Sequence, residues 1–385
     1  MQHRGQLRWR ATLLLIGTIM GAGIFGVPAM IGEWGVAVST IAFAVITILV
    51  LSAHLLYAEA VLANAKEARL EAEATKWLGK PVGFVAGAMQ TLQIFGSNLA
   101  YLILGGEFLA MLMRVCGIDV PLIVWQIVFW FIGSIVVCFG LAIVMRAEAY
   151  LTWLLIAAVI LLIGAFASQL VIEDVMRVAL TLPERLTFEP YGVILFALLG
   201  ITPVPEVVDI LGRRREDVFA AITRGTIVAA FLTYAFGVFG WLATSGMIGR
   251  DPSDLIRYVP TPLALAIPLA GFLAIVTSYI STAFDLRNMF HLDYHFSDRL
   301  AWIVALGVPL ALLFLTPRDF LGTISLVGAV FGTSIATIVA LMGYAAFARV
   351  RGKRKTLPEA LWRDAVPILT AAAFIAGGTL WFLMP

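Results

Sequence analysis

The sequence predicts an all-α, polytopic membrane protein: eleven transmembrane helices, built as a 5+5 inverted repeat with broken helices 1 and 6, plus one extra C-terminal helix. Three observations predict it. Apolar residues make up 61% of the 385 and charged residues 13%, with a mean hydropathy of +0.98. A soluble domain carries roughly 25% charged residues, so a chain this poor in charge needs lipid as part of its solvent. The apolar stretches also run end to end, in windows of the ~20 residues that cross about 30 Å of hydrocarbon. Finally, the first and sixth windows are interrupted by glycine and proline.

The windows fall at about 11–32, 36–63, 82–113, 121–144, 149–171, 190–211, 219–246, 262–285, 299–316, 320–348 and 364–384. Pro81, Pro121 and Pro262 each open a span, where a missing N–H costs little. Met1 to Arg10 followed by an apolar run looks like a signal peptide. The run continues through glycine-rich sequence to Ile31 with no small-residue cleavage motif, so it reads as a retained first span. Between spans two and three, Lys66 to Lys80 carries Glu67, Arg69, Glu71, Glu73 and Trp77, the pattern of an interfacial amphipathic helix. No linker is long enough for a soluble domain. The chain therefore reads as one integral membrane domain over 1–385: repeat one about 11–171, repeat two about 190–348, extra helix about 364–384.

Charge gives the direction. Of the 26 Lys and Arg, twenty fall in segments on the side of the N-terminus and six on the other. By the positive-inside bias the N-terminus is cytoplasmic and the C-terminus outside, in a multi-pass protein of the cell membrane. A net charge of +2 is too mild to imply nucleic acid as a partner.

Catalytic and metal chemistry find little support. Cys116 and Cys138 have no metal spacing and read as small core residues. His291, Asp293 and His295 alternate in a loop with no fourth ligand in view. No nucleophile–base constellation appears, so neither an enzyme nor a cofactor is expected. G-A-G-I-F-G at 21–26 formally matches G-x-G-x-x-G, but it lies inside a membrane span with no preceding strand. Gly17 and Gly21 form a GxxxG pair, a packing signal that leaves the other glycines and the second break unexplained.

The breaks carry the chemistry. Span one reads G-T-I-M-G-A-G-I-F-G-V-P from Gly17 to Pro28, and span six A-L-L-G-I-T-P-V-P-E from Ala197 to Glu206. Each proline removes one helical hydrogen bond, so Pro203, Pro205 and Pro28 are expected to free the carbonyls of Leu199, Ile201 and Ile24. In a bilayer, unwound backbone is tolerated only where protein or a water-lined cavity receives it. Paired breaks at corresponding positions mark a transporter's binding site. The breaks fall in spans one and six, so five spans make a unit, and because five is odd the second unit inserts upside down relative to the first.

Unpaired N–H groups at a half-helix N-terminus suit a carboxylate, and freed carbonyls suit an ammonium. The expected substrate site is therefore Gly21, Ala22, Gly23, Ile24 and Gly26 on span one, with Phe196, Leu199, Gly200 and Ile201 on span six. Gln93, Phe25 and Phe196 would line an apolar pocket for a neutral or aromatic side chain. A branched side chain at Gly23 is expected to intrude where substrate meets backbone.

Coupling-ion candidates are the hydroxyls of Thr277, Ser278, Ser281 and Thr282, which share one face of span eight, and the intramembrane carboxyl Glu107. For the hydroxyls the competing reading is bonding back to their own helix; for Glu107 it is a solvated or paired structural carboxyl. Span three also carries Gln90 and Asn98. His54 and Glu59 read as packing or interface residues. Glu206 and Asp209 read as helix-end charges or partners for nearby arginines.

Three segments carry a family resemblance: 17–28 as quoted, A-Y-L-I-L-G-G-E-F-L at 100–109, and P-Y-G-V-I-L-F-A-L-L-G at 190–200 with Pro205 and Glu206. The chain resembles the amino acid/auxin permease family, in its hydroxy- and aromatic-amino-acid permease branch, within the amino acid–polyamine–organocation superfamily. The resemblance covers nearly the whole chain. It implies amino-acid transport coupled to a cation, with substrate contacts at Gly21, Ala22, Gly23, Gly26, Phe196 and Gly200. The expectation is a secondary transporter importing neutral or aromatic amino acids by symport, with a proton favoured over sodium. The alternatives are an amino-acid exchanger, or a carrier of another small cationic or heterocyclic solute. A channel, which would want a polar stripe or charge ring along several spans, is last.

Overall fold

The computed structural model describes residues 2–64, 69–139, 142–170, 175, 187–244, 249–250, 252, 254–255, 265–349 and 361–384. Every regular element among them is helical. Among the described residues seven helices are long and apolar enough to cross a membrane by length and composition, and three shorter apolar helices accompany them.

Span one begins as α1 (Gln2–Ile19), breaks, makes a tight turn at Ala22–Gly26 and resumes in α2 (Val27–Leu62). Gly35 sits inside α2 with φ 71 and ψ 161, a conformation that needs a residue without a Cβ. It divides α2 into the end of span one, residues 27–34, and span two, residues 36–62. There follow α3 (Leu70–Leu78), α4 (Lys80–Val115), α5 (Leu122–Phe139) and α6 (Ala142–Ala167). The sixth window is broken into α7 (Glu189–Leu198) and α8 (Val204–Ile210). Then come α9 (Arg215–Ala243), α10 (Ala266–Asn288) and α11 (Asp298–Leu315). The tenth window is α12 (Phe320–Leu326), a wide π turn at Val327–Gly332 and α13 (Thr333–Arg349); α14 (Val366–Leu383) closes the chain.

Two sets of packed helices frame the breaks. On one side α9 runs along α1 and α2, and on the other α10 runs along α4 and α6, while α7 lies against α2 and the π turn. An aromatic knot sits between them: the Phe25 ring is 4.9 Å from Phe108 and 5.6 Å from Phe236, both edge-on. The N-terminal arm of α1 is pinned by Arg4 Nε to Asp217 at 2.7 Å, with Arg8 on the same carboxylate.

Two expectations change. α3 is not simply laid on a surface: Glu73 and Trp77 are buried. Glu73 accepts from Asn64 Nδ2 at 2.5 Å and from Trp77 Nε1 at 3.0 Å. Burial pushes the Glu73 carboxyl above its ordinary value, against the pull of those two hydrogen bonds. Residues 65–68 of the expected amphipathic segment lie outside the described residues. Cys116 and Cys138 are free and exposed rather than core; a periodic apolar stretch does not say which face is turned to lipid.

Candidate functional site

The first break begins where α1 stops. Met20 N–H reaches Ile16 O at 2.9 Å, Gly21 N–H folds back on Ile19 O at 2.9 Å, and Ile24 N–H reaches Gly21 O at 3.4 Å. Among the described residues, no backbone carbonyl receives the N–H of Ala22 or of Gly23. In the second break Leu199 N–H reaches Leu195 O at 2.9 Å and Gly200 N–H reaches Leu198 O at 3.0 Å. The carbonyls of Phe196, Ala197, Leu199 and Gly200 receive no backbone N–H among the described residues.

Pro203 thus leaves the Leu199 carbonyl open, as expected. The other two carbonyls do not follow: Ile201 O accepts Val204 N–H at 3.1 Å, and Ile24 O accepts Val27 N–H. Each chain tightens to a three-residue turn ahead of the next helix, so the missing four-residue bond is replaced.

The breaks face a cavity of about 130 Å³. Gly21, Gly23, Phe196, Leu199, Gln93, Thr277, Ser278, Ser281 and Thr282 line it together. The remaining candidates lie elsewhere. Ala22 and Ile24 are buried in the core. Ile201 lines an adjoining vestibule of about 270 Å³. Gly26 faces Val193, Leu321 and Ile324, which a Cβ would meet at 2.9–3.0 Å. Gly200 lies against Ile19, 2.5 Å from where its Cβ would be. Glu107 is half-buried on α4 and lines neither cavity.

Gly23 also has a packing duty. A Cβ there would fall 2.6 Å from Ala197 Cα, so a branched residue would strike the opposite break before it met any substrate. Only glycine lets the two broken spans touch at this point.

The span-eight hydroxyls mostly bond to their own helix. Thr277 Oγ1 donates to Leu273 O and Ala274 O, both at 3.0 Å, Ser278 Oγ to Ala274 O at 2.9 Å, and Thr282 Oγ1 to Ser278 O at 2.8 Å. Thr282 Oγ1 also meets Asn98 Oδ1 at 2.6 Å, which ties α10 to α4. A hydroxyl that donates its proton keeps lone pairs free, so the row retains acceptors toward the cavity.

Among the described residues that line the central cavity there is no Asp, Glu, Lys or Arg. Charge begins in the vestibule, which carries Arg69, Glu206 and Asp285. The two spaces share Thr18, Ile94, Thr202, Ser281 and Thr282. A third basin shares Arg69, Pro205 and Glu206 with the vestibule and reaches Glu71 and Asp293. A path therefore leads from the breaks to the face that carries α3 and the N-terminus. On the opposite side the aromatic knot and a bond from Trp34 Nε1 to Thr187 O, 2.6 Å, close the space. Asp209 pairs with Arg213 at 3.1 Å, Glu59 receives Arg215 Nε at 2.8 Å, and buried His54 shares a 3.0 Å bond with Thr226.

Several cavity residues went unnoticed in the sequence. Ser97 and Tyr101 follow Gln93 at i+4 and i+8, a helical stripe that the polar spacing of span three already carried. Thr152 and Leu155 come from α6 and Thr202 from the second break; no local pattern distinguishes them from ordinary span residues.

Residues 5–362 match the tryptophan/tyrosine permease family. Glutamine transporter 2 of Aliivibrio fischeri is 20% identical over 285 residues, 72% of this chain and 73% of that protein. Among solved structures, Mhp1 in its inward-facing conformation is similar with a TM-score of 0.68 at 16% identity, covering 98% of this chain and 88% of that one. MhsT in complex with L-phenylalanine gives a TM-score of 0.67 at 16% identity, covering 97% and 98%. Mhp1 in a closed conformation with bromovinylhydantoin, described as a nucleobase-cation-symport-1 family transporter, gives 0.66 at 12%, covering 97% and 88%. At these identities the structural likeness speaks for the fold alone. The family match runs over nearly the whole chain, so the chain belongs to the tryptophan/tyrosine permease family and is a membrane transporter, not an enzyme.

Proposed function

We propose that this protein is a secondary active transporter that imports neutral or aromatic amino acids by cation symport and alternating access. The observation that carries the reading is the uncharged cavity between two interrupted helices, with open N–H groups on one and open carbonyls on the other. A zwitterion supplies both complements. Its carboxylate meets the open N–H of Gly23, which lines the cavity, and the positive end of the second half-helix adds to the attraction. Its ammonium meets carbonyls between Phe196 and Gly200.

Phe196, Leu199, Leu155 and Tyr101 supply apolar wall. An ionised side chain would find no counter-charge there and would bear the full cost of desolvation. The names of the relatives agree in kind: tryptophan/tyrosine for the family, glutamine for the curated relative, phenylalanine in MhsT.

The eleven spans are read as two inverted five-span repeats plus α14, with the N-terminus cytoplasmic and the C-terminus outside. The path past Arg69 and Glu206 is then the inward exit. A proton is the favoured coupling ion, with Glu206 and Asp285 the carboxyls on that exit. Sodium is the second reading, favoured by the row from Thr277 to Thr282 opposite the first break.

Uptake into liposomes containing purified protein tests both. A pH gradient in sodium-free medium is expected to drive accumulation of a neutral amino acid. A strict sodium requirement that is lost in Thr277→Ala and Ser281→Ala would make sodium the coupling ion instead. Uptake of hydantoins or polyamines that neutral amino acids do not compete with would move the substrate to another class.

A further inference from the structure

We propose that Arg250 is a charge latch holding shut the face opposite the vestibule, and that it releases once in each transport cycle. The proposal rests on the alternating-access reading above. Arg250 grips Glu189 with a two-pronged fork: Nη1 to Oε2 at 2.8 Å and Nη2 to Oε1 at 2.6 Å. Planar pairing of this kind is the strong form of an ion pair. The same guanidinium lies 3.4 Å from Glu33 Oε1 and 3.6 Å from Asp319 Oδ2.

The three acids come from three different elements. Glu33 stands two residues before the Gly35 bend that ends span one, Glu189 is the first residue of α7, and Asp319 immediately precedes α12. Glu33 and the approach to α7 are joined directly as well, through Thr187 Oγ1 to Glu33 Oε2 at 3.0 Å. Asp319 has no such side-chain tie to the other two acids among the described residues. α12 is also bonded to α7 through Ser325 Oγ, which donates to Glu189 O at 2.9 Å, and Arg250 adds the charged link that joins the three acids at this edge.

Electrostatics makes the device two-sided. With Arg250 in place, three carboxylates converge on one cation. Without it they face each other across the gap and repel. Arg250 is half exposed, so any one pair is worth little; the network, not a single bridge, sets the bias. Losing the cation is expected to shift the equilibrium toward opening on this face.

The test uses intact cells and a Cys116→Ala/Cys138→Ala background with Leu199→Cys as the cavity reporter. A membrane-impermeant cationic thiol reagent is added outside. With Arg250 present, labelling is expected to be slow; Arg250→Gln is expected to speed it roughly fivefold. The charge exchange Arg250→Glu with Glu189→Arg is expected to return the rate toward the slow value, which a merely misfolded Arg250 variant cannot do. An unchanged outside rate in Arg250→Gln, in protein that labels fully once cells are permeabilised, would overturn the latch alone. A reporter that stays unlabelled even after permeabilisation would mean that the cavity is no aqueous path, and the transport reading would fall with the latch.

Discussion

A Cβ built on Gly21 would point at Ser278 Oγ, 3.3 Å away, and at the Tyr101 hydroxyl, 3.7 Å away; both line the cavity. One built on Gly23 would run into Ala197. Two glycines in one tight turn therefore answer to different demands, and their substitutions should separate. Gly21→Val is expected to fold and to lose the thermal stabilisation that a neutral amino acid gives, about 2.7 kcal/mol at a ligand concentration a hundred times Kd. Gly23→Ala is expected to lower stability by about 1–3 kcal/mol with or without ligand, as overpacking does. Melting curves of the two variants, with and without amino acid, check both. The glycine run was legible in the sequence as a break, because no ordinary helix would carry it. Its division of labour was not, because the direction of each missing Cβ depends on where span six lies. Glu107 shows a related limit: a carboxyl inside an apolar window draws attention, yet position along α4 decides whether it meets the cavity, and Glu107 lines neither space.

At the scale of elements, the broken helices were readable because proline and glycine act through backbone geometry, which is local. α3 was readable only in part. Its charged spacing announced a helix, but Glu73 is held in the interior by Asn64 and Trp77, a tertiary outcome that no periodicity reveals. The raised Glu73 carboxyl has a consequence of definite sign. Its folded-state pKa lies above the ordinary 4.5, so the contribution to α3 docking is full below that value and fades as pH rises through the folded-state pKa. Amide hydrogen exchange in 70–78, corrected for the intrinsic rate, is therefore expected to show weaker protection at pH 8 than at pH 5. Glu73→Ala should flatten that dependence while lowering protection throughout.

For the whole molecule, composition led to a membrane protein and the paired breaks to a transporter, and the family match agrees. Among the described residues seven helices meet the length and apolarity needed for a crossing; α7 is shortened by its break, and α1 carries three arginines in its first half. The central claim concerns the meeting of the two interrupted helices over an uncharged cavity that receives a small zwitterion. Counterflow in liposomes tests it most directly: vesicles loaded with an unlabelled neutral amino acid should accumulate the labelled one transiently and saturably, and Gly21→Val vesicles should not. Equal counterflow by wild type and Gly21→Val, or none by wild-type protein with an intact melting transition, would contradict it.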